Sequence, residues 1–199
     1  MQPVVVWDFD GVLNTNIVDG RFVWADQLAE DWGVDRHDLA AHVFAPDNIG
    51  RIMRGQLDLR DAVLAWRDAA GHDFGPDAFL RYWFDKDAHP DAETISQLDR
   101  AGLRHVIGTN NERRRAAYIE TEMGLGARVE QLFASGRMGC AKPDAAYFAP
   151  IEAWSGAKLH ALIDDTARNI AAAAARGWRV FHFTDDTRAG LPAFLDSLT

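Results

Sequence analysis

Four short apolar segments, each followed by polar or glycine residues, constrain the fold of this chain most strongly. They are Val4 to Trp7, Leu103 to Gly108, Leu159 to Ile163 and Trp178 to Phe183, and Gln131 to Ala134 is a shorter candidate of the same kind. Continuous apolar runs rich in β-branched residues are typical of strands buried on both faces of a parallel sheet. We therefore expect these segments to form the centre of the fold.

Segments with helical periodicity separate most of these strands. Alanine, leucine and charged residues recur at helical spacing in Asp91 to Ala101, Glu112 to Met123, Pro143 to Trp154 and Thr166 to Arg176. This alternation predicts an α/β fold, a Rossmann-like parallel sheet with helices on both faces. The length of 199 residues and the hydrophobic content of 48% suit one such core with a modest insertion.

Residues 17–89 differ in character, because they contain little that resembles a strand. Helical periodicity is found in Trp24 to Trp32, Arg36 to Val43, Leu59 to Ala70 and Pro76 to Phe84. We predict that residues 17–89 form a helical cap, inserted into a catalytic core made of residues 1–16 and 90–199. Four of the seven tryptophans lie in this cap. We expect them to pack there, with an aromatic substrate pocket as the alternative.

The net charge and the cysteine content narrow the range of functions. A formal net charge of -9 repels a phosphate backbone, so a nucleic-acid partner is not expected. The single cysteine, Cys140, cannot form an intrachain disulfide or a multi-cysteine zinc site. Because the first residues lack a basic leader and a long apolar run, we expect a cytoplasmic protein without a membrane partner. The sequence leaves the oligomeric state open.

Two aspartates directly follow the first strand. Asp8 and Asp10 could be ordinary turn residues, but two carboxylates about 4 Å apart repel by about 4 kcal/mol at an effective dielectric constant of about 20. A structure that gathers them needs a cation, a proton or a catalytic task. Asp8 is then a candidate nucleophile, because carboxylates form phosphoryl-enzyme intermediates. Asp10 is a candidate general acid and base.

The ends of later strands carry further polar residues. Because the carboxyl ends of parallel strands border one cleft, Thr109 and the pair Asp164-Asp165 should converge with Asp8. The acidic pair can cap the following helix, or it can complete a site of hard oxygen ligands for Mg²⁺. Thr109 and the residues that follow it, beginning with Asn110, can serve as helix caps or hold phosphoryl oxygens at a helix amino end.

A lysine completes the set of candidate residues. Lys142 lies in the sequence Ala-Lys-Pro-Asp, in which Pro143 is predicted to be the first helical residue. Surface lysines are common, and solvation is therefore one explanation of Lys142. The other is that it offsets the negative charge shared by Asp8 and a transferring phosphoryl group.

Taken in order, these pieces resemble the motifs of the haloacid dehalogenase-like (HAD) hydrolase superfamily, in its phosphatase-type form. Asp8-Phe9-Asp10-Gly11-Val12 resembles the first motif, Thr109 the second, Lys142 the third and Asp164-Asp165 the fourth. The insert of helices resembles the small cap that follows the first motif in one branch of the superfamily. There the cap closes over the active site and selects the substrate. The resemblance spans nearly the whole chain.

The resemblance implies a Mg²⁺-dependent hydrolysis of a small phosphorylated metabolite, a phosphate monoester, through an aspartyl-phosphate intermediate. It implies that Mg²⁺ is held by Asp8, the backbone carbonyl of Asp10 and Asp165, with Asp164 as a direct or water-mediated ligand. It further implies that Asn169 ties the loop of the fourth motif together. Several residues of the cap region could face the cleft, although packing or solvation is the simpler expectation: Asn14, Trp24, Arg51, Arg54 and Trp83.

Three other functions remain open from the sequence. Haloacid dehalogenases of the same superfamily use an aspartate nucleophile without Mg²⁺ and lack the second aspartate of the first motif, so Asp10 and the pair Asp164-Asp165 favour phosphoryl chemistry. A sugar-phosphate mutase shares all four motifs and a helical cap. A non-catalytic, metal-binding regulatory module is the third alternative.

Overall fold

A five-stranded parallel sheet forms the centre of the computed structural model, which describes residues 2–199. The strands of the chain are β1 (Val4–Trp7), β2 (Ile17–Val18), β3 (Arg21–Phe22), β4 (Arg104–Thr109), β5 (Leu132–Ala134), β6 (His160–Asp164) and β7 (Arg179–His182). In the central sheet the order is β5-β4-β1-β6-β7, with all neighbours parallel. The α/β fold predicted from the sequence is confirmed.

Helices cover both faces of this sheet and fill the segment between β3 and β4. They are α1 (Leu28–Trp32), α2 (Arg36–His42), α3 (Pro46–Met53), α4 (Leu59–Ala70), α5 (Pro76–Lys86), α6 (Ala92–Ser96), α7 (Arg113–Thr121), α8 (Ser135–Met138), α9 (Ala145–Ser155), α10 (Ala167–Ala175) and α11 (Leu191–Asp196). Among residues 2–199, no helix combines the length and the apolar character that crossing a membrane requires.

The best-predicted helix, α4, shows how local sequence sets the helix ends. Asp58 is its N-cap, and the Asp58 side chain accepts a hydrogen bond from Arg60 N. Gly71 ends the helix in the left-handed conformation that glycine adopts without a steric penalty. Four buried residues, Leu59, Ala62, Val63 and Trp66, form the apolar face between these caps.

Two local predictions are corrected by the structure. Pro143 is not the first residue of a helix, because α9 begins at Ala145 with Asp144 as its N-cap. Between β3 and the end of α5, the structure also contains α3, which was not predicted because Pro46 and Gly55 were interpreted as breaks between helices. Pro46 instead occupies the first helical turn, where its missing N–H has no intrahelical partner to lose.

The apolar residues of the insert form a hydrophobic cluster of their own. Its buried members run from Trp24 to Phe84, whereas two other clusters lie on the two faces of the central sheet. The chain leaves and re-enters the core at adjacent points, since Thr15 N donates to the His89 carbonyl and Asn14 Nδ2 to the Asp87 carbonyl, both at 2.8 Å. The division at residues 17–89 stays a prediction, with which these contacts agree.

Gly108 is a point in β4 where the sheet has no room for a side chain. A Cβ at this position would lie 2.4 Å from Val6 Cγ1 and 3.2 Å from Tyr147 Oη. We expect Gly108→Ala to lower the free energy of unfolding by about 1–3 kcal/mol, because overpacking forces neighbouring groups to move. Urea denaturation would measure this loss.

The matched control is Gly50→Ala in α3. There the added Cβ would approach nothing nearer than Arg54 Nη1 at 3.8 Å. Alanine should raise the stability by up to about 1 kcal/mol at this helical position. Equal stability changes in the two variants would contradict the packing argument.

Candidate active site

The carboxyl ends of three neighbouring strands bring the predicted acidic residues together. β1 lies between β4 and β6; Asp8 follows β1, Thr109 ends β4 and Asp164 ends β6. One carboxylate oxygen from each of Asp8, Asp164 and Asp165 lies within 4.8 Å of the other two. The buried apolar runs of the strands thus place polar residues at one edge of the sheet, as expected for parallel strands.

Lys142 is the cation at the centre of this cluster. Its side chain is fully buried, and Nζ lies 3.0 Å from Asp8 Oδ1 and 2.7 Å from Asp164 Oδ2. The ammonium also donates to the Gly108 carbonyl at 2.7 Å, so its three hydrogens are all used. Burial acts to lower the pKa of Lys142, but the two carboxylates outweigh it and the pKa is raised. A direct bond from Lys142 to a substrate would therefore require it to release a present partner.

The cluster is short of positive charge. Asp8, Asp164, Asp165 and Lys142 together carry a net charge of -2 when all are ionised. Burial raises the pKa of Asp8 well above its ordinary value, and burial also raises the pKa of Asp165. Two further positive charges, as one divalent cation carries, would make the ionised cluster neutral.

Two of these carboxylates have oxygens available for a metal ion. Asp164 is bound through both oxygens, by Lys142 at Oδ2 and by Asn169 Nδ2 at Oδ1, 3.0 Å away. Within residues 2–199, Oδ2 of Asp8 and Oδ2 of Asp165 accept no hydrogen bond. Hard oxygens suit Mg²⁺, and ligands on one Mg²⁺ lie about 3–4 Å apart, so small adjustments would let these residues hold the ion.

Gly11 lets the loop after β1 approach the Asp165 carboxylate. Its φ of +76° lies in the left-handed region. A Cβ at this position would lie 2.4 Å from Asp165 Oδ2, the oxygen that remains free for a metal. The requirement for glycine thus arises from both the turn and the acidic cluster.

The Asp10 carboxylate lies outside this cluster and is held by two amides. Asn16 Nδ2 donates to Asp10 Oδ1 at 2.7 Å, and Asn111 Nδ2 donates to Oδ2 at 2.8 Å. Asn16 Nδ2 also donates to Asp87 at 2.9 Å, and Asp87 forms a buried ion pair with Arg115 at 2.6 Å. Burial raises the pKa of Asp87 to about 7 against the opposing effect of Arg115. The metal contact predicted for Asp10 concerns its backbone carbonyl, so it does not depend on this arrangement.

The second predicted motif is arranged differently from the expectation. Thr109 is buried at the end of β4, but the Asn110 side chain is engaged with the backbone of Lys142, donating to its carbonyl at 2.9 Å and accepting from its N–H at 2.8 Å. Glu112 caps α7 and accepts from Arg114 N at 2.7 Å. Glu112 thus occupies the N–H groups of Arg114 and Arg115 at the start of α7. Binding of phosphoryl oxygens by Thr109 and by the backbone N–H groups that follow it stays a prediction. Because the Asn110 side chain is engaged with Lys142, the backbone N–H is the group through which Asn110 would contact a substrate.

A cavity of about 300 Å³ adjoins Asp10. The core contributes Asp10, Asn110, Asn111, Glu112 and Arg115 to its wall, and the insert contributes Phe22, Trp24, Phe44, Ile49, Ile52, Met53, Leu59, Trp83, Phe84 and Asp87. Trp24 and Trp83 thus face the cleft, as the sequence allowed. Arg54 pairs instead with Asp144, and Arg51 is exposed away from this cavity.

Comparison with known proteins agrees with this geometry. Residues 3–177 match the family model described as haloacid dehalogenase-like hydrolase. The chain belongs to this family. No curated protein matches the sequence of this HAD-like hydrolase.

Solved structures show the same fold across the whole HAD-like hydrolase chain. A predicted HAD-like family hydrolase from Porphyromonas gingivalis has a TM-score of 0.75 at 19% identity, covering 100% of this chain and 98% of its own. A HAD family enzyme from Bacteroides thetaiotaomicron, in complex with magnesium and inorganic phosphate, has a TM-score of 0.73 at 16% identity, covering 92% and 95%. A 2-haloacid dehalogenase from Pseudomonas syringae has a TM-score of 0.70 at 19% identity, covering 100% of both chains.

Sequence reasoning missed the residues that hold Asp10 in this HAD-like hydrolase. Asn16 lies six positions after Asp10, so its proximity in sequence was an available signal. Asp87 and Arg115 gave no such signal, because the ion pair joins the end of α5 to α7 across 28 positions. A single Asp at a helix end, or an Arg within the basic run Arg113-Arg114-Arg115, is more simply explained as solvated.

Replacing Lys142 should destabilise the protein strongly. In Lys142→Met, Asp8 and Asp164 lose their buried counter-charge, and we expect the free energy of unfolding to fall by about 3–5 kcal/mol. Adding Asp164→Asn should recover part of this loss, because it removes one of the uncompensated charges. Urea denaturation in EDTA would measure both effects without a metal ion replacing the lysine.

Lys158→Met is the control, because Lys158 is exposed. It should change the stability by no more than about 0.5 kcal/mol. If Lys142→Met were as stable as Lys158→Met, the central role of the buried ammonium would be refuted.

Proposed function

We propose that this protein is a Mg²⁺-dependent phosphatase that hydrolyses a small phosphate monoester with Asp8 as its nucleophile. The observation that carries the proposal is the buried cluster with a net charge of -2, next to a separately held Asp10. Such a cluster suits a divalent cation, which could then bind an anionic phosphoryl group, and a fold relative was solved with magnesium and inorganic phosphate. Asp8 and Asp165 would hold the ion with the Asp10 carbonyl, and Asp164 would support them.

The first step forms a bond between an Asp8 oxygen and phosphorus while the bond to the leaving oxygen breaks. Bound Mg²⁺ would offset negative charge on the transferring group. Lys142 fixes the orientation of Asp8 through the 3.0 Å contact and adds a second positive charge. The Asp10 carboxyl gives its proton to the leaving alkoxide, so that a neutral alcohol departs.

The second step releases phosphate and restores the enzyme. Asp10, now a carboxylate, takes a proton from water, and the resulting hydroxide attacks phosphorus. The bond between phosphorus and Asp8 breaks, and the electron pair returns to the Asp8 carboxylate. The two amides that hold Asp10 keep the same group in place for both proton transfers.

Dehalogenation is the main rival, because fold relatives include haloacid dehalogenases. A 2-haloacid carries a carboxylate that needs a partner, and Arg115 on the cavity wall is already paired with Asp87 at 2.6 Å. The acidic pair Asp164-Asp165 gives a metal-free dehalogenase no benefit. Halide release from 2-chloropropionate in EDTA would support the rival, and transfer of phosphate within a sugar phosphate would support a mutase.

Removal of the nucleophile or of the metal should abolish phosphatase activity. We expect the wild-type protein to release phosphate from 4-nitrophenyl phosphate with Mg²⁺ and not with EDTA. Asp8→Asn should lose at least about a thousandfold in kcat, because an amide cannot attack phosphorus. A fluoroberyllate adduct should form on Asp8.

The exposed Asp73 on the insert supplies the control Asp73→Asn, which should keep wild-type activity. Circular dichroism would establish that both variants are folded. Full activity of Asp8→Asn, or turnover that is independent of metal, would contradict the mechanism.

The role of Asp10 as a proton donor predicts a dependence on the leaving group. Asp10→Asn should reduce kcat by about 10²- to 10⁴-fold with an alkyl phosphate, whose alkoxide must be protonated to leave. The loss should be smaller with 4-nitrophenyl phosphate, because 4-nitrophenolate leaves without a proton. Steady-state kinetics with both esters would measure the two losses. Equal losses would rule out protonation of the leaving group by Asp10.

A further inference from the structure

We infer that the cavity beside Asp10 takes an apolar organic group, aromatic or aliphatic, and not a sugar or an organic acid. This inference rests on the proposed function, under which that group is the leaving alcohol of the phosphate monoester. Asp10 would protonate the leaving oxygen, and Asp10 lines the cavity. The cavity is therefore the space that the leaving group enters.

The wall contributed by the insert is aromatic and aliphatic. The rings of Trp24 and Trp83 are stacked with centroids 4.2 Å apart, and Phe44 contacts Trp83 edge-on at 5.3 Å. Ile49 and Met53 of α3 complete this part of the wall. Apolar and aromatic surfaces of this kind gain free energy by burying an apolar ligand.

Most polar side chains of the wall already form hydrogen bonds within the protein. Asp10 accepts from Asn16 and Asn111, and Asp87 is paired with Arg115. The same holds for the other polar side chains there: Asn110 bonds the Lys142 backbone, and Glu112 accepts from the backbone N–H groups of Arg114 and Arg115. Within residues 2–199, Asn111 Oδ1 is the side-chain oxygen of the wall that accepts no hydrogen bond, so few groups remain for the several hydroxyls of a sugar.

An unpaired hydroxyl is costly in such a place. Burial of a hydroxyl without a hydrogen bond is unfavourable, and a sugar carries several hydroxyls, so the unfavourable contributions add. A carboxylate would add a further negative charge beside Asp10 and Asp87, and the positive charge of Arg115 is already paired with Asp87. The volume of about 300 Å³ lies at the lower end of the range for ligand pockets, which suits a single ring or a short alkyl chain.

The test compares esters whose leaving groups have similar chemistry and different polarity. Glucose 6-phosphate, cyclohexylmethyl phosphate and benzyl phosphate are all esters of primary alcohols, so differences in leaving-group acidity are small. With Mg²⁺, we expect kcat/KM to be at least about a hundredfold higher for the two apolar esters than for the sugar phosphate. Phosphate release would be measured for each.

Phe22 gives a variant that probes the cavity without disturbing the core. It lines the cavity but is 49% exposed on β3. Phe22→Ala should raise KM for benzyl phosphate about tenfold with little change in kcat, since it removes apolar contact area. Turnover of methyl phosphate, which does not reach the cavity wall, should not change.

Val18→Ala is the matched control, because Val18 lies in the same hairpin, is 51% exposed and is not part of the cavity wall. It should leave all kinetic constants unchanged. The inference is overturned if glucose 6-phosphate is hydrolysed as well as the apolar esters, or if Phe22→Ala and Val18→Ala behave alike. Both of those results would leave the phosphatase proposal standing.

Calorimetric titration with benzyl alcohol separates the two proposals further. Binding of benzyl alcohol that is weakened by Phe22→Ala, without phosphate release from any ester, would support the apolar cavity and refute the phosphatase. Phosphate release without any binding preference for benzyl alcohol over glucose would refute the apolar cavity alone.

Discussion

The buried ammonium of Lys142 is the interaction on which the site depends. It contacts Asp8 after β1 and Asp164 at the end of β6, and it donates to the carbonyl of Gly108 in β4. Asn110 in turn holds the backbone of Lys142 from the end of β4. One cation therefore links the ends of three strands, and it offsets only part of the charge that they gather. The remaining negative charge suits the site to a divalent cation, whose positive charge together with that of Lys142 would offset the charge of a phosphoryl group.

The sheet could be predicted from the sequence because β1 and β6 are buried along their whole length and the other strands also carry apolar residues, although the edge strand β7 is exposed at both ends. The predicted and observed ends of β1 agree, and those of β4, β6 and β7 differ by one residue. The insert was harder to predict. Helix α3 begins at Pro46 and contains Gly50, and the two-residue strands β2 and β3 are too short to show a period.

Part of the candidate site could also be predicted, because its residues follow the strands of the parallel sheet. Residues that follow strand ends are brought together by the topology alone, so Asp8 and the pair Asp164-Asp165 could be found from the order of strands and helices along the chain. The residues that support Asp10 could not be found in this way, because Asp87 and Arg115 meet only when the insert folds against the core. The capping of α7 by Glu112 was also hidden, since a glutamate before a helix looks the same whether it caps the helix or faces solvent.

The chain passes between the core and the insert at two neighbouring places, near Asn14 and near His89. Thr15 N donates to the His89 carbonyl, and the Asn14 side chain accepts from His89 N, so the insert is attached through a narrow stalk of two adjacent chain segments. Lengthening or exchanging the segment beyond the stalk leaves the spacing of the sheet strands untouched. Under the proposed function, such changes would alter the cavity wall and the Asp87 contact, while Asp8, Lys142 and the pair Asp164-Asp165 would stay in place.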